Sequence, residues 1–109
     1  MSKLKRIALA IAVSTAAATQ ALADGSPAAG AKLAQKWCAK CHNVAPDGPF
    51  KLQPPSFAAV AVYRSKDQIY GRIAYPNIHT GMPQLSFILT PDGIEDLVAY
   101  ITSLEKRGR

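Results

Sequence analysis

The chain has 109 residues, 49% of them hydrophobic and 18% charged, with thirteen Lys and Arg against seven Asp and Glu. That length bounds it to one small domain. The formal charge of +6 comes with no basic block or aromatic-interleaved patch, which excludes a nucleic-acid surface.

At the start, Lys3, Lys5 and Arg6 precede an apolar run from Ile7 to about Ala18, and Ala21 and Ala23, in the run ALA, supply the small residues of a cleavage point. This is the pattern of a secretory signal peptide over 1–23, cut before Asp24. Ser14, Thr15, Thr19 and Gln20 interrupt the run before it reaches the roughly 20 apolar residues of a membrane span, so no stable span is expected after cleavage. Removing 23 of 109 residues leaves a domain over 24–109 of 86 residues, and since three basic residues go with the signal, ten remain against seven acidic ones, a net +3. An exported domain that small has a barely sufficient core and commonly relies on a disulfide, a metal or a cofactor.

Ser26 can cap a first helix with Pro27 at its first position, and Gly30, Leu33, Ala34, Trp37 and Cys41 recur at steps of three and four along one face. The stretch KWCAKCH, Lys36 to His42, then sits at that helix's C-terminal end. Asn43 to Pro55 holds four of the eight prolines and reads as a loop. Ser56 can cap a short helix over FAAVAVY, and Ser65 with Gln68 forms a capping-box pattern for another over KDQIYGRI. YPNIHTGMPQLSF is turn-rich and carries Met82. Thr90 and Pro91 start a last helix in which Ile94, Leu97, Val98, Ile101 and Leu104 keep helical spacing, with Asp92, Glu95 and Asp96 near its start and Lys106 and Arg107 near its end. No sustained period-two pattern appears, so the predicted fold is all-α, helices joined by Pro-rich loops.

Cys38, Cys41 and His42 hold both cysteines and one of the two histidines. A thioredoxin-type dithiol needs a strand before the pair and a helix after it, and here a helix leads in and a loop leads out. Zinc would need Cys38, Cys41, His42 and His79 together, with the adjacent Cys41 and His42 forming an awkward chelate. A Cys38–Cys41 disulfide would close a loop too short to stabilise much. In the remaining reading the two thiols add to the two vinyl groups of one haem, and His42 binds the iron from one face. The haem would also supply the apolar centre that so short a chain lacks. For the iron's other face Met82, the one methionine left after cleavage, is the candidate, and His79, three residues earlier, is its competitor.

CAKCH near the mature N-terminus, PPSF after it, GMP in the late loop and the closing LTPDGIEDLVAYITSL resemble the class I c-type cytochromes, in particular the small single-haem bacterial kind, over residues 30 to 105. The resemblance implies a cytochrome c-like fold around one covalently attached haem c, whose first and last helices cross where Gly30 approaches Leu97 and Tyr100. It implies that the carbonyl of Pro55, or of Pro54, accepts the Nδ1 proton of His42. Many relatives carry an aromatic residue where this chain has Ala34, with Trp37 a candidate to fill the space. The haem-binding set is then Cys38, Cys41, His42, Met82 and Pro55, with His42 and Met82 as the iron ligands.

The expected function is one-electron transfer in the periplasm on a His/Met-ligated haem at moderately positive potential, without catalysis. The chain would act as a free carrier or as the cytochrome subunit of an oxidoreductase. Its partners would be redox proteins, such as a periplasmic dehydrogenase or a terminal oxidase or reductase. The alternative is a haem enzyme or gas-binding protein whose distal side opens when Met82 leaves. Lys32, Lys36 and Lys40 form a basic stripe suited to steering a partner, against an ordinary solvated face. Arg64, Arg72 and Tyr75 have the charge and rough position to meet the haem propionates.

Overall fold

Local hydrogen bonds close the helices where the side chains can cap them. The computed structural model describes residues 25–105; the expected signal peptide at 1–23 and the basic pair Lys106 and Arg107 lie outside the described residues. Helix α1 is Pro27–Trp37, α2 Phe57–Tyr63, α3 Lys66–Ala74 and α4 Pro91–Ser103, with single 3-10 turns at Ile78–Thr80 and Leu85–Phe87. Each α-helix starts at a hydroxyl. Ser26, Ser56, Ser65 and Thr90 accept the amides of Ala29, Ala59, Gln68 and Gly93 at 3.1 to 3.2 Å, contributing about 1 kcal/mol apiece. Ser65 completes its capping box through its own amide, which donates to Gln68 Oε1 at 3.0 Å. Among the described residues there is no strand, only an isolated bridge between Leu52 and Pro55, and no helix is long and apolar enough to cross a membrane. The fold is all-α.

One end differs from the expectation. The helical spacing carries Cys41 on the face of the first helix, yet α1 stops at Trp37 with Cys38 as its C-cap. The carbonyl of Ala34 accepts two amides, from Cys38 and Ala39, both at 2.9 Å. The second of these bonds spans five residues, which widens the last turn and breaks the ladder. Cys38 to Cys41 then forms a separate turn.

Helices α1 and α4 make the largest helix–helix contact, and small residues on α1 let the backbones meet. Gly30 and Ala34 are the buried residues of α1, while α4 buries Ile94, Leu97, Val98 and Ile101. A Cβ at Gly30 would overlap the carbonyl of Asp96 and lie 2.8 Å from Tyr100 Cβ. The close approach is as expected, and the nearest atoms it meets are the Asp96 carbonyl and Tyr100 Cβ. The amide of Ser26 donates to Asp96 Oδ1 at 2.6 Å, so the entry to α1 is tied to the same turn of α4. Leu97, fully buried, sits in a core completed by Phe57, Ile69, Ile73, Leu85 and Leu89. Each such side chain contributes about 1.5–3 kcal/mol of apolar burial.

Candidate functional site

The turn after α1 separates the two thiols by exposure. Cys38, capping the helix, faces the core, and Cys41 is exposed. Burial pushes the Cys38 thiol up to about 11. The carbonyl of Cys38 accepts the amides of Cys41 at 3.2 Å and His42 at 2.9 Å, which holds the two cysteines and the histidine on one tight turn. Both thiols are free.

His42 has a defined orientation. Its Nδ1 donates to the carbonyl of Pro55 at 2.6 Å, which assigns the proton to that nitrogen and leaves the lone pair on Nε2 for a metal. Of the two carbonyls the resemblance offered, the structure selects Pro55. The ring of Phe57 lies 5.6 Å from the imidazole, and Tyr100 lies 6.3 Å from Phe57. Pro55 is held by a knot of bonds around it: Phe57 donates its amide to the Asn43 carbonyl at 2.9 Å, and Ser56 donates its amide to the Lys51 carbonyl at 2.9 Å. Ser56 is buried, so this loop is part of the packed structure. Tyr100 ties α4 to it, its hydroxyl donating to the Val44 carbonyl at 2.5 Å.

Sequence reasoning missed three supports of this loop. Asn43 accepts the Ala45 amide and donates to the Pro49 carbonyl, both at 3.3 Å, and a Cβ at Gly48 would overlap the Asn43 side chain. The NVAPDG stretch shows these only as turn composition. The Tyr100 hydroxyl has no sequence signal, because its acceptor lies 56 positions away.

Met82 and His79 share a loop but differ in setting. Met82 is half-buried and packs against the core. Gly81 before it takes φ +71°, a left-handed conformation that favours glycine. His79 is exposed within a 3-10 turn pinned by Asn77, whose Oδ1 accepts the His79 amide at 3.0 Å and whose carbonyl accepts the Thr80 hydroxyl at 2.7 Å. Among the described residues no three His, Cys, Asp or Glu side chains converge as a cage for a bare metal ion, which counts against the zinc reading. Two thiols on one turn and a histidine with Nδ1 already engaged fit a haem, which brings its own four nitrogen donors to the iron. Ile78 and Phe87, on the two turns that flank Met82, leave large apolar side chains 88% and 85% exposed, in keeping with an apolar group there.

Lys32 and Lys36 are exposed on α1, while Lys40, also exposed, lies on the turn after it, because the helix ends before it; Lys36 Nζ is 5.0 Å over the ring of Trp37. Lys40 and Lys51 border a groove of about 400 Å³ that includes Cys41, His42 and Asn43. Ala34 is fully buried, and Trp37 packs against the core from its edge. Arg64, Arg72 and Tyr75 do come together, in a second groove with Gln68, Gly71 and Asn77.

Comparison with known proteins agrees with this site. The family model described as cytochrome C oxidase, cbb3-type, subunit III, matches residues 25–101. A protein described as cytochrome c-552, from Bradyrhizobium diazoefficiens, is 38% identical over 104 residues, covering 93% of this chain and 94% of the relative. No solved structure gives a significant match.

Proposed function

The chain belongs to the c-type cytochrome family described as cytochrome c oxidase, cbb3-type, subunit III, an electron-transfer protein with covalently bound haem c, and on that premise we propose that it works in the periplasm with His42 and Met82 as iron ligands. The observation that carries the ligand reading is the bond from His42 Nδ1 to the Pro55 carbonyl at 2.6 Å. Haem c, attached through Cys38 and Cys41, supplies the Fe(III)/Fe(II) couple that takes up and returns one electron.

The surrounding residues limit rearrangement when that electron moves. Pro55 holds the His42 ring in one tautomer and one rotation, and Phe57 packs beside it. The bond to Pro55 also raises the basicity of Nε2. Met82 is favoured over His79 for the opposite face because its side chain already packs on the core, while His79 is exposed in a pinned turn. A neutral thioether in apolar surroundings disfavours the extra positive charge of ferric iron and raises the potential. The leader pattern over 1–23 supports export. The partners are redox proteins, and the exposed Lys32, Lys36 and Lys40, with Lys51 on the same groove as Lys40, suit acidic ones.

The test is the visible spectrum of protein matured in cells competent for c-type haem attachment, oxidised and reduced, with and without carbon monoxide. A c-type spectrum unchanged by the gas is expected for two protein ligands. A spectrum that shifts with the gas refutes stable Met82 ligation and puts a gas-binding or enzymatic haem first, and a colourless product refutes the haem.

A further inference from the structure

The stretch between the haem motif and Pro55 closes on itself around one side chain. Ala45 to Gly48 form a turn, with Pro46 at its second position and the Gly48 amide donating to the Ala45 carbonyl at 3.4 Å. This turn brings Gly48 and Pro49 back onto Asn43. The Asn43 side chain uses both ends of its amide there: Oδ1 accepts the Ala45 amide and Nδ2 donates to the Pro49 carbonyl, each at 3.3 Å. A Cβ at Gly48 would overlap that side chain, so the turn packs directly on it. The backbone of Asn43 serves a different partner. Its carbonyl accepts the amide of the buried Phe57 at 2.9 Å, and one residue earlier His42 Nδ1 donates to the Pro55 carbonyl at 2.6 Å. These two bonds join residues 42–43 to residues 55–57 and close one circuit, in which the geometry of each bond constrains the other. Phe57 also packs its ring 5.6 Å from the imidazole.

From this circuit we propose that Asn43 is a positioning residue for the iron ligand, acting on His42 through Phe57 and Pro55. The side-chain turn from Asn43 to Ala45 restricts rotation of the Asn43 backbone, and the bond to Pro49 clamps the side chain that makes it. Together they aim the Asn43 carbonyl at Phe57. If that peptide turned, the buried Phe57 amide would lose its acceptor, and the Pro55 carbonyl, two residues before it, would leave the line of Nδ1. Asparagine fits the position because its amide presents acceptor and donor on separate atoms. Aspartate has no donor, and a serine hydroxyl has one oxygen for both partners. The consequence is electronic. A ring proton shared with a well-aligned carbonyl leaves more electron density on Nε2, which favours the higher charge of ferric iron and holds the potential down. Loss of that alignment therefore raises the potential. The inference rests on the reading of His42 as an iron ligand and is independent of Met82.

The experiment measures exchange of the His42 Nδ1 proton with water, by NMR of the ferrous holoprotein, together with the midpoint potential. For the exchange measurement carbon monoxide is added where the distal side is open, so that the iron is diamagnetic whatever stands opposite His42. The parent should show a slowly exchanging ring proton. Asn43→Ala should speed that exchange about fivefold, the weight of one ordinary hydrogen bond, and raise the potential. Gly48→Ala, which keeps Asn43 but drives a methyl group into its side chain, should move both readings in the same direction. Asn43→Ser, whose hydroxyl can still accept the amide two residues on, should fall between the parent and Asn43→Ala. Ser65→Ala removes a cap bond from α3 and controls for lost stability alone; it should change exchange less than about twofold, as for a site remote from the ring, and leave the potential in place. The inference is overturned if Asn43→Ala or Gly48→Ala keeps the parent's exchange and potential, or if Ser65→Ala moves them as far. A ring proton that exchanges freely in the parent overturns the bond between His42 and Pro55 and this inference with it, whereas a protected one that Asn43→Ala leaves unmoved overturns this inference alone.

Discussion

Two of the three glycines inside the described helices, Gly30 and Gly71, give opposite predictions for one substitution. In α1, the Cβ of Gly30→Ala would overlap the Asp96 carbonyl, lie 2.6 Å from its carbon and 2.8 Å from Tyr100 Cβ. The first obstacle is backbone, so relief requires α1 and α4 to separate along the largest helix contact in the fold. Overpacking of this kind costs about 1–3 kcal/mol, and the gain in helix propensity returns about 1 kcal/mol. The rigid obstacle puts the cost at the upper end, for a net loss of about 1–2 kcal/mol, which for a domain this size lowers Tm by roughly 5–15 °C. In α3, Gly71→Ala meets nothing within 4 Å and keeps only the propensity gain, about 0.5–1 kcal/mol, so its Tm should rise by roughly 2–8 °C. Thermal unfolding of the holoproteins, followed by helical circular dichroism and haem absorbance, measures both. If Gly30→Ala leaves Tm unchanged or raises it as Gly71→Ala does, the close packing of α1 on α4 is wrong.

Removing the Tyr100 hydroxyl by Tyr100→Phe leaves the buried Val44 carbonyl without that donor and should cost about 1–2 kcal/mol in denaturant unfolding; no loss would mean the bond is not formed in solution. Ser65→Ala removes one half of the capping box and should cost about 1 kcal/mol, with the visible spectrum unchanged; a spectral change would show that α3 constrains the haem directly. Met82→Ala should make the ferrous protein bind carbon monoxide and lower its midpoint potential, whereas the same behaviour from His79→Ala alone would transfer the ligand role. Replacing Lys32, Lys40 and Lys51 by Gln should slow reduction of hexacyanoferrate(III), a small anionic oxidant, and flatten its dependence on ionic strength; rates that do not move would make these lysines ordinary surface.

What could be read before folding was whatever neighbours in the chain decide. The four hydroxyl caps act over three residues, so the helix starts were legible from Ser26, Ser56, Ser65 and Thr90. The haem attachment was legible for the same reason, since Cys38, Cys41 and His42 are joined by the covalent spacing of one turn. The last helix was plain because Ile94, Leu97, Val98 and Ile101 repeat at its own period. The end of α1 was less so: the spacing admits Cys41 to the helix, and the competing bond from Ala39 to the Ala34 carbonyl leaves no mark in composition.

Tertiary structure decided the contacts between segments that chain distance keeps apart. Choosing Pro55 over Pro54 as the His42 acceptor depended on how the loop closes through Asn43 and Phe57. The partner of Gly30 depended on where α4 returns, 66 positions later at Asp96, and the Tyr100 bond to Val44 exists only once that return is made. Arg64, Arg72 and Tyr75 were visible as charge and polarity, but that they line one groove with Gln68, Gly71 and Asn77 followed from how the end of α2, α3 and the turn after it pack together. Local preference determines where a helix begins and which groups it carries; only docking, by burying one face, determines what the other faces are free to bind.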